Sequence, residues 1–281
     1  MNIYNAIKEG SKILKKNNIK NSNLDCEILL ANALKKKRKY LILNQDKVLN
    51  KKNLKIYRDL INQRSNGKPV AYLTKKKNFW NSEFIIEEGA LIPRPDTEVL
   101  IEATLKLFKN RDYANILDVG VGSGCIILSI LNEKPCFYGT GIDISGKSII
   151  LSKLNAKKLS VENRVKFIKT DVDNFSNGKY DLIISNPPYI NSNKIKNLEK
   201  DVRNFEPKLA LDGGLDGTVK ILKVIKKAST LLKSNGKLIL EIGYDQKKII
   251  MSLLKKEGFY INNIVKDYAK NDRCVISTKI N

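Results

Sequence analysis

Beyond residue 96 the chain alternates short apolar runs with amphipathic stretches, and no other feature limits its fold as strongly. The runs at 115–119, 137–143, 165–168, 181–185, 237–242, 261–265 and 274–278 predict strands, most of them short and apolar as buried parallel strands are. Helical stretches at 123–133, 147–159, 218–232 and 246–257 lie between several of them. Strands feeding helices in this order fold as an open, doubly wound α/β sheet, here of seven strands.

The first 73 residues have another character. Leu24, Ile28 and Ala31, then Leu30, Ala33 and Leu34, fall at helical spacing, and a second periodic segment carries Leu54, Tyr57, Leu60 and Ile61 until Asn66-Gly67 and Pro69 stop it. No acid, base or nucleophile pattern occurs there. In 74–95, Phe79-Trp80 and Phe84-Ile85-Ile86 flank Asn81-Ser82-Glu83, which predicts a short hairpin, and Pro93 and Pro95 stiffen its exit. The expected organisation is a small helical domain over 1–73, a hairpin linker over 74–95 and an α/β domain over 96–281. With 281 residues, 42% of them apolar, the chain can build such cores.

Composition removes several chemistries. There is no histidine, so imidazole bases, Ser-His-Asp or Cys-His nucleophiles and His-ligated metals are excluded. The four cysteines, Cys26, Cys125, Cys136 and Cys274, are scattered and predict reduced thiols rather than a metal or cluster site. Residues 1–9 lack the apolar run of a signal peptide, and no stretch reaches the roughly 18 apolar residues of a membrane span. A cytoplasmic protein is expected. The net charge of +23, from 52 Lys+Arg against 29 Asp+Glu, fits a nucleic-acid partner or lysine-rich compositional drift. The runs at 35–39 and 75–77 are not interleaved with aromatics, which favours solvated faces.

Three motifs carry chemistry. In Leu117-Asp118-Val119-Gly120-Val121-Gly122-Ser123-Gly124-Cys125 a strand enters a Gly-rich turn and then a helix, a form that lets a nucleotide-like ligand approach the backbone. Its G-x-G-x-G spacing differs from the dinucleotide fingerprint and suits adenosine bearing an amino-acid tail. Asp118 either contacts that ligand or only holds the turn. The strand ending Gly139-Thr140-Gly141-Ile142-Asp143 presents a carboxylate 19 residues after Gly124, where it can bind ribose hydroxyls or cap the next helix. In Asp181-Leu182-Ile183-Ile184-Ser185-Asn186-Pro187-Pro188-Tyr189, two prolines fix the Asn186 amide and adjoining carbonyls as acceptors, and Tyr189 can cover a planar group; a tight turn is the plainer use of Asn-Pro-Pro.

These residues resemble class I S-adenosylmethionine-dependent methyltransferases that act on nitrogen attached to an sp² carbon, in which Asn-Pro-Pro-Tyr marks the substrate-amine site. Gly67-Lys68-Pro69-Val70-Ala71-Tyr72-Leu73, Leu91-Ile92-Pro93-Arg94-Pro95-Asp96-Thr97-Glu98, the stretch from Glu206 to Gly217, and Leu240-Glu241-Ile242-Gly243 are similar to the bacterial peptide-chain release factor glutamine N5-methyltransferases. That resemblance implies a class I, Rossmann-like fold and transfer of a methyl group from S-adenosylmethionine to the Gly-Gly-Gln glutamine of release factors. It implies cofactor contacts at Gly120, Val121, Gly122, Ser123, Gly124, Asp143 and Asn186, and substrate contacts at Asn186, Pro187, Pro188 and Tyr189, of which Asn186, Pro187 and Tyr189 are catalytic. No metal is implied, and a monomer that meets nucleic acid only non-specifically is expected. A glutamine methyltransferase for a ribosomal protein and an adenine-N6 nucleic-acid methyltransferase are the alternatives. One departure concerns adenine: where some relatives carry an aromatic, this chain has Val172. Arg94 and Glu98 either line the pocket or pair with opposite charges.

Overall fold

The computed structural model describes residues 1–280. The chain divides into two compact units, Met1–Lys76 with Glu199–Phe205, and Lys77–Leu198 with the residues from Glu206 onward.

In the first unit, α1 (Ile3–Lys16), α2 (Ser22–Leu34), α3 (Arg38–Leu43), α4 (Lys51–Ser65) and α5 (Val70–Thr74) surround an aliphatic core. Side-chain caps start two of them: Asn2 Oδ1 accepts the Asn5 N–H at 2.9 Å, and Asn50 Oδ1 the Asn53 N–H at 2.8 Å. Helix α2 packs against α1, α3, α4 and α5, so Asp25 and Ala31 are buried beside the stripe of Ser22, Cys26, Leu29, Leu30 and Ala33. Leu24, expected on the core face, is 41% exposed instead. A Cβ on Gly10 would lie 2.3 Å from the Tyr57 hydroxyl, so glycine is what lets α1 meet α4, where that hydroxyl donates to the Ala6 carbonyl at 3.2 Å.

The second unit begins with the hairpin β1 (Lys76–Phe79) and β2 (Ser82–Ile85). Its turn residue Trp80 has φ +53°, a conformation held by three bonds: Trp80 N–H to Glu98, Trp80 Nε1–H to Glu133, and Asn81 to Glu133. Next come α6 (Glu98–Leu107), β3 (Asn115–Val119), α7 (Cys125–Glu133), β4 (Tyr138–Asp143), α8 (Gly146–Lys158), β5 (Val165–Lys169) and β6 (Tyr180–Ser185). After the short helix α9 (Lys200–Phe205), which belongs to the first unit, the chain forms α10 (Val219–Leu231), β7 (Leu232–Glu241), α11 (Lys247–Lys256), β8 (Phe259–Lys266) and β9 (Asp272–Lys279).

The seven strands order as β5-β4-β3-β6-β7-β9-β8, parallel except for β9, which runs antiparallel to both β7 and β8. The expected doubly wound seven-stranded sheet is therefore present, with an antiparallel edge. Each expected strand lies where the apolar runs put it, although β7 begins at Leu232 rather than at 237, with a register shift against β6. The hairpin is held to α8 by Asn155, which accepts the Ile85 N–H at 2.7 Å and donates to the Ile85 and Ser123 carbonyls at 3.0 and 2.9 Å. No helix among the described residues is long and apolar enough to cross a membrane.

Candidate active site

Because the chain steps outward from β3 to β4 and β5, then returns to place β6 on the other side of β3, the sheet has its switch point between β3 and β6. Ligands of open α/β sheets bind beyond the carboxyl ends of strands at such a point. Here the Gly loop leaves β3 and Asn186 leaves β6 side by side, tied by the Ser185 hydroxyl donating to the Val119 carbonyl at 2.6 Å.

The loop needs its glycines for two reasons. Gly120, Gly122 and Gly124 all have positive φ, between +55° and +82°. A Cβ on Gly120 would meet nothing within 4 Å, so the loop leaves an open floor there, whereas one on Gly124 would strike the Leu128 side chain at 2.8 Å. The Gly120 and Val121 N–H groups both donate to the Ile142 carbonyl, at 2.9 and 3.0 Å, which moors the loop to β4. Val121 and Ser123 are buried, and neither lines the crevice above the loop.

Asp143 closes one side of that crevice. Its Oδ2 accepts the Gly122 N–H at 2.9 Å and its Oδ1 the Ser145 N–H at 2.8 Å, so the carboxylate braces the loop while keeping lone pairs free. It does not cap α8; Ser145 does, accepting the Ser148 N–H. Burial pushes the Asp143 pKa up, against the pull of those two N–H groups. Asn186, Pro187 and Pro188 form the opposite wall of a crevice of about 1100 Å³ counting its open mouth. Val172 lines it, and Ile144 and Leu209 add exposed aliphatic surface that the sequence did not single out.

Two buried carboxyls stand behind these walls. Asp118, at the end of β3, is fully buried, does not line the crevice, and has no close hydrogen bond on either oxygen, the Ile127 N–H being its nearest donor. Burial raises its pKa to about 7, eased by the Ile127 N–H and reinforced by Asp143. Glu241, at the end of β7, is 2% exposed. Its Oε1 accepts the Tyr189 hydroxyl at 3.2 Å, and Arg273 on β9 reaches that hydroxyl at 3.4 Å while bonded to Asp267. Burial lifts Glu241 to about 7, with Thr97, Arg273 and Tyr189 drawing it back and Asp96 adding to the rise. Tyr189 is thus held by its hydroxyl rather than lining the crevice, and burial likewise raises its own pKa.

Asn186 donates through Nδ2 to the Thr97 hydroxyl at 3.2 Å, which directs the Oδ1 end of the amide away from Thr97. Thr97 and Glu241 stand within motifs that carry the family resemblance but were given no role there, and Arg273 carried no signal in sequence. Arg94 pairs with an opposite charge, donating to Glu206 at 2.5 Å and to the Ile92 carbonyl at 2.7 Å, whereas Glu98 accepts the backbone Trp80 N–H at 2.8 Å. The cysteines are free thiols, and burial pushes Cys125, beside the loop, up to about 12, which removes it as a nucleophile. No cluster of three or more Cys, Asp or Glu among the described residues is placed to hold a metal ion.

Comparison with known proteins agrees with this geometry. The family described as PrmC N-terminal domain matches residues 5–74, and that described as Methyltransferase small domain matches residues 96–206. The release factor glutamine methyltransferase of Clostridium acetobutylicum is 37% identical over 282 residues, covering 99% of each chain. That of Buchnera aphidicola subsp. Baizongia pistaciae is 37% identical over 279 residues, covering 99% of this chain and 100% of the other. Among solved structures, a methyltransferase from Pyrococcus furiosus superposes with a TM-score of 0.56 at 18% identity, over 78% of this chain and 99% of that one. The ribosomal protein L11 methylase of Lactobacillus delbrueckii subsp. bulgaricus gives 0.51 at 19% identity, over 73% and 90%. The two structural likenesses establish the class I methyltransferase fold, and the full-length sequence relatives establish more: the chain belongs to the release factor glutamine methyltransferase family.

Proposed function

We propose that this enzyme transfers a methyl group from S-adenosylmethionine to the side-chain nitrogen of the glutamine in the Gly-Gly-Gln motif of peptide-chain release factors. The observation that carries this reading is Asn186, whose amide is tied to Thr97 through Nδ2 and so leaves Oδ1 as an acceptor in the crevice that the Gly loop also lines.

The crevice suits the cofactor on three counts: an open glycine floor at Gly120, an acidic wall at Asp143 and an apolar margin at Ile144, Val172 and Leu209. Gly120, Gly122 and Asp143 would hold its ribose and amino-acid tail; Val121, Ser123 and Gly124 serve the same end from behind, by shaping the loop. When bound, the cofactor supplies an electrophilic sulfonium methyl group.

An amide nitrogen is a weak nucleophile because its lone pair is delocalised, so this chain's residues act chiefly by positioning. Asn186 Oδ1 and the Pro187 carbonyl accept the two N–H groups of the substrate amide, and acceptors aimed at a nitrogen gaining positive charge stabilise the transition state. Pro188 keeps that backbone rigid. Tyr189, anchored on Glu241, buttresses the turn. Once methylated, the nitrogen is strongly acidic and sheds its proton without a dedicated base.

In this reading the helical unit, which has no chemistry of its own, is the docking surface for a folded protein substrate in the cytoplasm. The enzyme acts as a monomer, and its charge surplus gives only salt-sensitive, non-specific contact with nucleic acid. The ribosomal-protein and adenine-N6 alternatives have no observation in their favour, since the likeness to the L11 methylase concerns the fold.

A labelled-methyl assay offering release factor, DNA and RNA in parallel tests the proposal. Label should enter the release-factor glutamine alone, and Asn186→Ala should slow transfer roughly 100- to 1000-fold while cofactor affinity holds. Label in adenine, or an Asn186→Ala enzyme at near-normal rate, would overturn it.

A further inference from the structure

The two ends of an asparagine amide are nearly the same size, yet only Oδ1 can accept a substrate N–H. Some neighbour must therefore decide which end meets the substrate. Asn186 has one such neighbour in Thr97, a residue 2% exposed that sits outside the crevice and accepts the Nδ2 hydrogen at 3.2 Å.

A threonine hydroxyl can donate as readily as it accepts. To accept from Asn186 reliably, it must spend its own hydrogen elsewhere, and the acceptor beside it is the buried carboxyl of Glu241, whose Oε2 no other donor occupies. A carboxyl oxygen that carries no proton can only accept. The same carboxyl takes the Tyr189 hydroxyl on Oε1, while Oε2 has no hydrogen bond of ordinary geometry and remains as spare acceptor capacity in that enclosed space. Thus β7 supplies one acceptor that faces both the Asn186–Thr97 pair and Tyr189.

We propose that Thr97 and Glu241 are positioning residues: Glu241 keeps the Thr97 hydroxyl turned away from Asn186, and Thr97 thereby holds Asn186 with Oδ1 toward the methyl-accepting nitrogen. This rests on the reading of Asn186 given above. Neither residue touches the substrate. If Glu241 becomes glutamine, its amide can donate to Thr97, whose hydroxyl is then free to turn toward Asn186 and flip its amide.

Single-turnover methyl transfer to a purified release factor, with saturating S-adenosylmethionine and full-length enzyme, tests the idea. Thr97→Val should slow transfer about 10- to 100-fold, a size typical of lost orientation, with cofactor affinity by calorimetry unchanged within about twofold. Thr97→Ser keeps the hydroxyl and should stay within about threefold of the parent. In the background of Asn186→Ala, Thr97→Val should add nothing, because its effect passes through Asn186.

If Thr97→Val transfers at the parental rate while Asn186→Ala does not, the positioning proposal fails and the assignment of Asn186 survives. If Asn186→Ala itself transfers normally, both fail. Equal slowing by Thr97→Ser and Thr97→Val, or additive losses in the double variant, would reassign Thr97 to packing and overturn the proposal. Should Thr97→Val not fold by circular dichroism, Glu241→Gln decides: slowing of about tenfold or more supports the proposal, and the parental rate overturns it.

Discussion

The helical unit and the α/β unit differ in whether every buried polar group is paired. In the helical unit the buried Asp25 and Arg64 are bonded to each other at 2.7 Å, and Arg64 also donates to the Gly67 and Lys68 carbonyls. In the α/β unit the carboxyls of Asp118 and Glu241 keep oxygens with no partner, and the other unpartnered buried side-chain atoms among the described residues, on Ser123 and Ser129, lie there too. Satisfied networks make a fold rigid and specific, while unsatisfied buried groups persist where function holds them. The contrast separates a unit built to keep its shape from one whose strand ends are kept polar at a cost in stability.

The largest expected effect lies in the satisfied network. Arg64→Ala strands Asp25 in the core of the helical unit, and breaking a buried pair from one side costs about 3–5 kcal/mol. Denaturant melts of the full chain should show an early transition for residues 1–76, with the α/β transition unmoved. A single unshifted transition would show that Asp25 finds another partner and would weaken the contrast.

Next comes pH. Asp118 and Glu241 have folded-state pKa values near 7, above their ordinary 3.8 and 4.5. The folded state therefore binds more protons than the unfolded state, and the stability they lend is complete below about pH 4 and lost as pH rises to 7. Each carboxyl should contribute on the order of 3–4 kcal/mol across that window. No histidine can produce the same slope. Asp118→Asn and Glu241→Gln should each flatten the α/β transition between pH 4 and 7. A pH-independent parent would sink the argument.

Asp143 lies between the two extremes, since it is bonded to the loop yet open to the crevice. Asp143→Ala should weaken S-adenosylmethionine binding by about 2 kcal/mol, the worth of one charge-assisted hydrogen bond. Calorimetry reads this directly. Unchanged affinity in a folded protein would leave Asp143 with loop bracing alone.

How far the sequence revealed each unit follows the same division. Strands buried on both faces announce themselves as apolar runs, so β3, β4 and β6 were legible almost to the residue. Helix α6 went unmarked because the Pro93–Pro95 stretch draws attention to the turn rather than to the helix that follows. The antiparallel return of β9 was invisible, since an apolar run carries no sign of direction. The Gly loop, Asp143 and Asn186 were legible because each motif is local. Thr97 and Glu241 were not: Thr97 is 89 residues from Asn186, and only the sheet order brings them together. The segment Glu199–Phe205, which joins the helical unit from within the α/β sequence, was hidden for the same reason.

The smallest effect gives a control on the same helix. Arg58 and Arg64 both lie on α4 and both bridge to another helix, Arg58 to Glu9 on α1 at 3.1 Å and Arg64 to Asp25 on α2 at 2.7 Å. The difference is solvent: the Arg58 and Glu9 side chains are 52% and 38% exposed, against 11% and 10% for Arg64 and Asp25. In water the Coulomb gain of an exposed pair nearly cancels the entropy of holding two long side chains, which leaves about 0.5 kcal/mol. Arg58→Ala should therefore lower the stability of the helical unit by about that much, and added salt should erase the loss because exposed charges are screened. The loss in Arg64→Ala should persist in salt, since it comes from a carboxylate left buried rather than from an attraction across water. Parallel melts of both variants at low and high salt make the comparison. If the two losses were equal, or both disappeared in salt, burial would not be what sets the Asp25–Arg64 pair apart.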